Sequence, residues 1–448
     1  MAISAAEQYM LELINRARLD PLGEAARQGI GLNDNLTPDR LHSGVRGVLA
    51  HDEALERAAI GHSQWMLAND IFSHTGVNNT TPAQRAIAAG YEGWGAGENI
   101  SWRGTTGFMN LETVIGQQHA DLFRSAGHRV NILWDSYREL GLAQEAGQFT
   151  SGGTTYNASM VTQNFSSEPG VYYVTGVIYD DLNNDRFYSI GEGRAGTMLA
   201  STVDSTTSAS AGGYALVAPE GGMAQVSGAV NGRAFSVSVL VEGVNAKLDI
   251  VNGDTVLSSA DIRLGQGIDK VRLLGMAALD ATGNAAANLL EGNARANLLS
   301  GQAGNDRIFG LGGNDRLLGN SGADALSGGL GNDRLLGGAG NDVLKGEARR
   351  DWLQGDQGDD TLTGGGGEDT FVFGREAGSD VITDFGATDR LRLASAIWED
   401  AVTSVADLLD RHAAIVGADV VLDLAASGTL TLRGVTDLAG LADNITLI

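Results

Sequence analysis

An aspartate that recurs every nine residues is the feature of this sequence that most clearly predicts chemistry. Each aspartate follows a glycine by five residues, and an apolar residue stands two positions after it. The glycines are Gly283, Gly292, Gly301, Gly310, Gly319, Gly328, Gly337, Gly346, Gly355 and Gly364, and the aspartates are Asp306, Asp315, Asp324, Asp333, Asp342, Asp351, Asp360 and Asp369. Glycine permits tight left-handed turns, and rows of carboxylates repel each other unless a hard cation binds between them. The pattern therefore predicts Ca²⁺ binding and disfavours a flexible glycine-rich linker.

The nine-residue unit, G-G-x-G-x-D-x-U-x with U apolar, is identified as the RTX nonapeptide, a calcium-binding repeat of parallel β-rolls. Two units form one coil, so that residues eighteen apart stack in a row with a spacing of about 4.8 Å. Asn288 and Asn297 replace the aspartate in the first two units. The unit GEARRDWLQ is the weakest, because Arg349 replaces a turn glycine and Arg350 adds a positive charge beside Asp351. We expect a poor or absent site there.

A second acidic pattern lies in VTGVIYDDLNNDRFYSIGEG, which resembles the B-type repeats of cell-wall adhesins. An EF-hand-like loop takes its oxygen ligands from positions 1, 3, 5, 7 and 12. These positions hold Asp181, Asn183, Asp185, Phe187 (through its carbonyl) and Glu192. Position 6 is Arg186 instead of glycine, so an ordinary acidic turn is the alternative. Four oxygen-bearing side chains in register favour Ca²⁺.

Five short motifs occur in order in the first 170 residues. They are FSHTG (72–76), GENI (97–100), SAGHRVNIL (125–133), LGLA (140–143) and VTQNF (161–165). In this order and spacing they resemble the CAP superfamily (cysteine-rich secretory, antigen 5, pathogenesis-related) in its cysteine-free bacterial form. The resemblance implies an α-β-α sandwich. His62, on an apolar helical face near Trp65 and Met66, is interpreted as a satisfied, half-buried histidine.

By this resemblance, His74, Glu98 and His128 are three members of a cavity tetrad of two histidines and two glutamates. Such a group binds a divalent metal such as Zn²⁺ or holds a water between a base and an acid. The fourth carboxylate is missing from the expected stretch before GHR, and Asp121 or Glu112 is the nearest candidate. Hydrogen-bonded scaffolding around a cleft is the equally weighted alternative. No H-E-x-x-H or G-x-S-x-G motif supports a hydrolase.

Composition bears on partners and compartment. The formal net charge of −25 argues against nucleic acid and anionic membrane as partners and favours divalent cations. The chain has no cysteine, and no run approaches transmembrane length. The N-terminus MAISAAEQYMLELINRARLD does not read as a signal peptide. The segment DTFVFGREAGSDVITDFGATDRLRL resembles the end of the β-roll in serralysin-like exoproteins. This resemblance implies a C-terminal signal for a type I ABC exporter. The alternative is a strand cap over the open end of the roll, and the segment could serve both purposes.

These elements predict a multidomain α+β protein. The predicted domains are an N-terminal α-β-α CAP sandwich (1–168), a central small β-sandwich (169–270), a parallel β-roll (271–374) and a C-terminal cap with the secretion signal (375–448). The predicted function is a secreted, extracellular calcium-binding protein whose CAP cleft binds a lipid, sterol or cell-surface partner. An extracellular peptidase or esterase is the alternative, and the missing tetrad carboxylate favours binding.

Overall fold

The structure, a computed structural model, describes residues 3–93, 95–375, 377–398 and 402–448. The chain forms two compact units. The first is Met1–Ala260 with Gly275–Ala277, and the second is Asp261–Leu274 with Ala278–Ile448. Within the described ranges, no helix has both the length and the apolar character needed to span a membrane.

The N-terminal part of the first unit packs helices around a mixed four-stranded sheet. The helices are α1 (Ala5–Leu19), α2 (Pro21–Arg27), α3 (Glu53–Asn69), α4 (Pro82–Ala88), α5 (Leu111–Arg124) and α6 (Ala126–Ile132), and the strands are β1 (Ala50–His51), β2 (Gly97–Thr105), β3 (Glu139–Ser151) and β4 (Thr154–Ser166). The strand order is β1-β3-β4-β2, with β1 parallel to β3 and the other pairs antiparallel. This arrangement confirms the predicted α/β fold of the N-terminal region.

Helix α1 illustrates how the sequence sets this core. Ser4 and Glu7 form a capping box that satisfies free N–H groups at the start of the helix. Met10 and Ile14 lie on its buried face and belong to the same core cluster as Phe123 and Phe165. The apolar stripe therefore faces the core, as its helical spacing predicts.

The rest of the first unit consists of strands. They are β5 (Tyr172–Tyr179), β6 (Met198–Ala200), β7 (Ser205–Thr207), β8 (Gly213–Ala218), β9 (Gly222–Val230), β10 (Arg233–Val241), β11 (Ala246–Val251) and β12 (Thr255–Ser258). They pair in the orders β12-β11-β5-β8 and β10-β9-β6-β7. The buried face of β10 consists of alternate residues, Phe235, Val237, Val239 and Val241. Packing of the two groups as a β-sandwich stays a prediction.

A buried ion cluster joins this strand region to helix α1. The ammonium of Lys247 contacts the carboxylate of Glu12 and lies 2.7 Å from Asp249 Oδ1, and all three residues are buried. Burial lowers the pKa of Lys247, but the two carboxylates outweigh burial and raise that pKa above its usual value. A second link is the Tyr173 hydroxyl, which donates to Glu139 Oε1 at 3.0 Å. The strands from Tyr172 onward are therefore part of the same packed unit as the N-terminal helices.

The second unit is a parallel β-solenoid of about eight turns. Its strands are β13 (Ile262–Leu264), β14 (Lys270–Leu273), β15 (Asp280–Thr282), β16 (Leu289–Glu291), β17 (Leu298–Ala303), β18 (Arg307–Gly312), β19 (Arg316–Ser321), β20 (Ala325–Leu330), β21 (Arg334–Ala339), β22 (Val343–Ala348), β23 (Trp352–Gln357), β24 (Thr361–Gly366), β25 (Thr370–Phe373), β26 (Gly378–Ile382), β27 (Arg390–Leu393), β28 (Ala413–Val416), β29 (Asp419–Asp423), β30 (Gly428–Leu432) and β31 (Ile445–Leu447). Helices α7 (Val405–His412) and α8 (Leu438–Leu441) lie near its end.

Odd-numbered and even-numbered strands of the repeat region form separate parallel sheets. Leu317 pairs with Leu335, and Leu326 pairs with Leu344, so the register from coil to coil is eighteen residues. The apolar position of each repeat is buried, at Leu290, Leu299, Ile308, Leu317, Leu326, Leu335, Leu344, Leu353, Leu362 and Phe371. The predicted β-roll is confirmed.

Candidate functional site

The repeat aspartates form two rows. In each aspartate, one carboxylate oxygen accepts a hydrogen bond and the other does not. Oδ1 of each aspartate accepts the backbone N–H of its counterpart one coil earlier; the Asp306 N–H, for example, donates to Asp324 Oδ1 at 2.7 Å. The second oxygen, Oδ2, is buried and has no hydrogen-bond partner within the described part of the chain. This holds for all eight residues, Asp306, Asp315, Asp324, Asp333, Asp342, Asp351, Asp360 and Asp369. A buried carboxylate oxygen without a donor is unfavourable unless a cation binds it.

The period-nine glycines leave space for these oxygens. A Cβ on Gly310 would lie 2.3 Å from Asp315 Oδ2 and 2.6 Å from the Gly328 carbonyl oxygen. A Cβ on Gly319 would lie 2.4 Å from Asp324 Oδ2 and 2.5 Å from the carbonyl oxygen of Gly337, one coil later. A side chain at either position would collide with the carboxylate oxygen and the carbonyl oxygen, so only glycine fits there. Carboxylate and carbonyl oxygens are the ligand types that Ca²⁺ prefers, and it takes six to eight of them.

The surroundings of these carboxylates favour their protonated form when no metal is bound. Burial, with a smaller contribution from neighbouring aspartates, raises the pKa of Asp315 and of Asp351 to about 7. Asp342 and Asp360 reach the same value for the same reasons. At neutral pH the metal-free rows are therefore partly protonated, and a bound cation would replace these protons.

The two ends of the predicted pattern differ from its middle. The Asn297 amide donates to the carbonyl of Leu279 at 2.7 Å, so the first coil carries a neutral, hydrogen-bonded group instead of an unpaired carboxylate. In the weak unit, Arg349 adopts φ = +85°, a conformation that glycine takes at Gly340 (+128°) and Gly358 (+126°). Asp351 is nevertheless positioned like the other aspartates. Reduced occupancy of that unit stays a prediction.

Sequence reasoning missed two aspartates that continue the rows after the last unit with nine-residue spacing. Asp380 Oδ1 accepts the N–H of Asp360 at 2.9 Å, and Asp389 Oδ1 accepts the N–H of Asp369 at 3.0 Å. Both lie twenty residues after their partners instead of eighteen. The available signal was the D-x-U pattern, because Ile382 and Leu391 follow them by two residues.

The EF-hand-like segment forms a closed loop in the first unit. Asp181 accepts the N–H groups of Asp185 and Arg186 at 3.1 and 3.0 Å. Glu192, at position 12, reaches back to accept the N–H of Leu182, at position 2, at 3.0 Å, so the end of the loop closes onto its start. Arg186 has φ = +59°, the left-handed conformation for which glycine is favoured at position 6. Asn183 and Phe187 lie between them in the loop, and Phe187 packs edge-on against Tyr9 of α1.

The predicted histidine site is organised around the buried Glu98 carboxylate. Glu98 lies at the start of β2, and His74 Nδ1 donates to its Oε1 at 2.9 Å. Arg85, on α4, donates to Oε2 at 2.5 Å. Sequence reasoning missed Arg85, since no motif distinguishes it in the helix PAQRAIA. His62 is fully buried instead of half-buried: its Nε2 donates to the carbonyl of Ser73 at 2.8 Å and its ring stacks on Trp65, but its Nδ1 has no hydrogen-bond partner among the described residues.

His128 lies on α6 and pairs with a hydroxyl. Its Nδ1 is 2.9 Å from Ser125 Oγ. Burial lowers the pKa of His128, and the nearby charge of His74 lowers it further, so His128 is a neutral imidazole at pH 7. The Asn99 amide donates to the His128 carbonyl at 3.2 Å, and the Asn131 amide donates to the Glu98 carbonyl at 3.2 Å, and these bonds link α6 to β2.

The structure does not support the predicted Zn²⁺ site or a fourth carboxylate. Asp121 is held by Arg103, whose Nη2 is 2.7 Å from Asp121 Oδ2, and Glu112 is exposed on the first turn of α5. Arg85 occupies the second oxygen of Glu98 and places a positive charge where a metal ion would bind. Among the described residues, no group of three or more His, Cys, Asp or Glu side chains is arranged to hold a metal.

Comparison with known proteins assigns the N-terminal region and the C-terminal repeats to two different families. Residues 11–174 match the Cysteine-rich secretory protein family (CAP), and residues 282–317, 318–348 and 345–382 match the RTX calcium-binding nonapeptide repeat. No curated protein matches the chain.

Two solved structures are similar to part of the chain. An extracellular protein containing a SCP domain from Bacillus anthracis str. Ames is 28% identical over 28% of this chain and 35% of its own, with a TM-score of 0.21. An outer surface protein from Borrelia burgdorferi is 18% identical over 27% of this chain and 77% of its own, with a TM-score of 0.20. The chain thus spans about a third of the Bacillus anthracis chain that it matches.

Proposed function

We propose that this chain, which carries a CAP domain at its N-terminus and RTX calcium-binding repeats in its C-terminal region, is a secreted calcium-binding protein whose CAP domain binds an extracellular ligand. The row of buried, unpartnered Asp Oδ2 atoms carries the calcium part of this proposal. Repeat carboxylates and turn carbonyls would hold the ions. When bound, Ca²⁺ supplies the positive charge that lets ionised aspartates stack one coil apart.

A substitution inside a row tests this proposal. Asp342→Asn keeps the side-chain volume and the oxygen that accepts the Asp324 N–H, but it removes the charge of the unpaired oxygen. We expect fewer bound Ca²⁺ ions and weaker affinity in equilibrium dialysis. Asp410→Asn, on the exposed face of α7, makes the same charge change outside the rows and is the control. Equal Ca²⁺ binding by the wild type and Asp342→Asn would contradict the proposal.

The EF-hand-like loop is proposed as a separate Ca²⁺ site. Asp181, Asn183, Asp185 and Glu192 supply side-chain oxygens, and Phe187 supplies a carbonyl. The closure of Glu192 onto the N–H of Leu182 supports the assignment. Loss of one bound ion in Glu192→Gln, with the roll unchanged in its circular dichroism, is the expected result; an unchanged ion count would overturn it.

Export by a type I ABC exporter is proposed because RTX repeats are typical of its substrates. Low cytosolic Ca²⁺ would keep the roll unfolded for passage, and higher external Ca²⁺ would fold it afterwards. Deleting the last 60 or so residues should retain the protein inside the producing cell, whereas deleting the first 20 should not stop its export. Recovery of the tail-deleted protein from the medium would refute this route.

Ligand binding by the CAP domain is proposed over catalysis because Glu98 is already engaged. Both of its oxygens have cationic or imidazole partners, and Asp121 is paired with Arg103, so a free second carboxylate is not at hand for acid–base chemistry. A lipid, a sterol or a cell-surface molecule is the proposed ligand class. Mass spectrometry of organic extracts from the full chain would detect a lipid or sterol, and loss of that ligand in Arg85→Ala would locate it at Glu98.

One observation favours the alternative of an esterase or peptidase. The Ser125 hydroxyl lies 2.9 Å from an imidazole that is neutral at pH 7, which is the geometry of a serine activated by a base. Ester hydrolysis by the full chain that is abolished in both Ser125→Ala and His128→Ala would establish this alternative. Absence of such hydrolysis, or its persistence in both variants, would leave binding as the function of the domain.

A further inference from the structure

We propose that the outer face of the odd-numbered sheet of the roll binds a linear acidic polysaccharide. This face carries a row of arginines around Trp352, although the formal net charge of the chain is −25. The surface is separate from the carboxylate rows, which are buried, and from the CAP domain. The inference therefore adds a second kind of ligand to the proposed function.

The coils place the side chains of this surface in one line. The residue that precedes the buried apolar position of each odd-numbered strand is exposed or half-buried. From β17 to β27 these residues are Leu298, Arg316, Arg334, Trp352, Thr370 and Arg390, and each pairs in parallel register with the next. At about 4.8 Å per coil, the row from Arg316 to Arg390 is about 19 Å long, which is the length of a short oligosaccharide.

The first two arginines of the row lack acidic partners. Arg316 and Arg334 are exposed and lie one coil apart, where like charges on paired strands repel. Neither side chain forms an ion pair within the described part of the chain. Strands β17, β19 and β21 contain no aspartate or glutamate. Asp280 lies two coils before Arg316, and its Oδ1 accepts the N–H of Leu298 at 3.0 Å. An external anion would therefore relieve the repulsion between the arginines.

Trp352 holds one of these arginines in an orientation suited to binding. The guanidinium carbon of Arg334 lies 4.1 Å from the centroid of the Trp352 ring. Such a cation–π contact fixes the planar group, and its N–H groups stay available for bidentate hydrogen bonds to a carboxylate. Leu318 and Leu336, two residues after the arginines, are half-buried on the same face. The aromatic ring and the leucines offer apolar surface to the carbon–hydrogen faces of sugar rings.

The unit GEARRDWLQ, which departs from the repeat pattern, supplies part of this surface. Arg349 adopts φ = +85° where the units on either side have glycine, so its backbone is strained. Arg350 is exposed, and its N–H donates to Asn332 Oδ1 in the turn one coil earlier, at 3.1 Å. Trp352 follows two residues later. The unit thus places cationic and aromatic side chains, which the roll does not need for folding, beside Arg334.

The even-numbered sheet shows that the row is not a consequence of the repeat itself. From β18 to β24 the equivalent outward residues are Arg307, Ala325, Val343 and Thr361. Only one of the four is cationic. The arginines are therefore concentrated on one of the two sheets, and Arg307 is an equivalent arginine on the other.

The charge density of the partner decides between classes of polyanion. Double-stranded DNA carries one negative charge per about 1.7 Å of its axis, and an anionic membrane is a broad charged surface. The acidic remainder of the chain would repel both. A thin chain with one carboxylate per sugar contacts the row without facing the rest of the protein, and its sugar rings match the apolar side chains. We therefore assign the face to an acidic polysaccharide.

The test is titration calorimetry of the full chain with hexagalacturonate, with both solutions dialysed against the same saturating Ca²⁺ buffer. The wild type should bind this hexamer and should not bind its fully methyl-esterified form, which has the same length and no charge. Arg316→Gln and Arg334→Gln should each weaken binding by about tenfold, because each removes a charge-assisted hydrogen bond. Arg307→Gln makes the same charge change on the even-numbered sheet and should bind like the wild type.

A readout on the wild type needs no variant. Phenylglyoxal modifies accessible arginines, and mass spectrometry measures the modification at each position. The hexamer should protect Arg316 and Arg334 from phenylglyoxal and leave Arg307 reactive. Equal protection of all three arginines would overturn the inference.

The remaining outcomes separate this inference from the proposed function. Absence of hexamer binding by a wild type that binds Ca²⁺ would overturn the inference and leave the proposed calcium function intact. Equal weakening in Arg307→Gln and Arg334→Gln, or equal binding of the methyl-esterified hexamer, would show that the row is not the site. Tighter binding to a short DNA duplex or to phosphatidylglycerol vesicles than to the hexamer would show that the assigned class of partner is wrong.

Discussion

In chelator, acid should stabilise the metal-free roll. The perturbation is a change from pH 8 to pH 5 in the full chain without Ca²⁺. The carboxylates of Asp315, Asp342, Asp351 and Asp360 have a pKa of about 7 in the folded chain, mainly because they are buried, against a usual value of 3.8. A group whose pKa is raised by folding adds stability below its unfolded pKa and loses that contribution as the pH rises through its folded pKa.

The magnitude is large compared with the stability of a domain. A pKa difference of about three units corresponds to roughly 4 kcal/mol for each carboxylate that must be ionised. Four such groups together exceed the 5–15 kcal/mol that is typical of whole proteins. We therefore expect the metal-free roll to be unfolded at pH 8 and to gain structure between about pH 7 and pH 4.

Hydrogen exchange, corrected for the intrinsic effect of pH on exchange rates, measures this in peptides that cover 298–366. Protection in chelator should be absent at pH 8 and appear at pH 5. In Ca²⁺, acid should instead destabilise the roll, because protons compete with the metal for the carboxylates. The apparent Ca²⁺ affinity should therefore fall on acidification. Equal protection in chelator at both pH values, or less at pH 5, would refute the reasoning.

Three further predictions concern single side chains. Gly319→Ala should lower Ca²⁺ affinity because its Cβ would collide with Asp324 Oδ2. Gly312→Ala, whose Cβ has no neighbour closer than 3.8 Å, should bind Ca²⁺ like the wild type. Equal losses of affinity in titration calorimetry would contradict this prediction. Arg186→Gly should stabilise the EF-hand-like loop by about 0.4–1 kcal/mol, because φ is +59° at this residue. The Ca²⁺ affinity of the loop should rise as well. A lower Ca²⁺ affinity of the loop would argue against the EF-hand-like assignment. Lys247→Met should lower the free energy of unfolding of the first unit by about 3–5 kcal/mol, since it leaves Glu12 and Asp249 buried without a cation. A loss below about 1 kcal/mol in urea denaturation would show that the cluster is not buried in solution.

The roll was predictable because its determinants are local and periodic. Each nine-residue unit repeats a turn glycine and an inward apolar residue, and all but the first two carry the aspartate, so the register of eighteen residues follows from the spacing alone. Asp380 was missed because two inserted residues break that spacing, although its D-x-U signature persists. A search for the signature without a fixed period would have found it.

The N-terminal region was less predictable because its site depends on contacts distant in sequence. The motifs placed His74 and Glu98 together correctly, but no pattern indicated that Arg85 would pair with Glu98 and oppose a metal ion. Likewise, Lys247 and Glu12 are 235 residues apart, and neither residue signals a buried ion pair on its own. Such pairs are decided by packing, which a single sequence does not display.

The most direct test of the central claim is Ca²⁺ titration of the full chain at neutral pH, followed by circular dichroism and by equilibrium dialysis on the same samples. The unpaired carboxylate rows predict that several ions bind and that β-sheet signal increases with them, while Mg²⁺ at the same concentration produces neither change. A β-sheet signal that is complete in chelator at pH 8 and unaltered by Ca²⁺ would contradict the account.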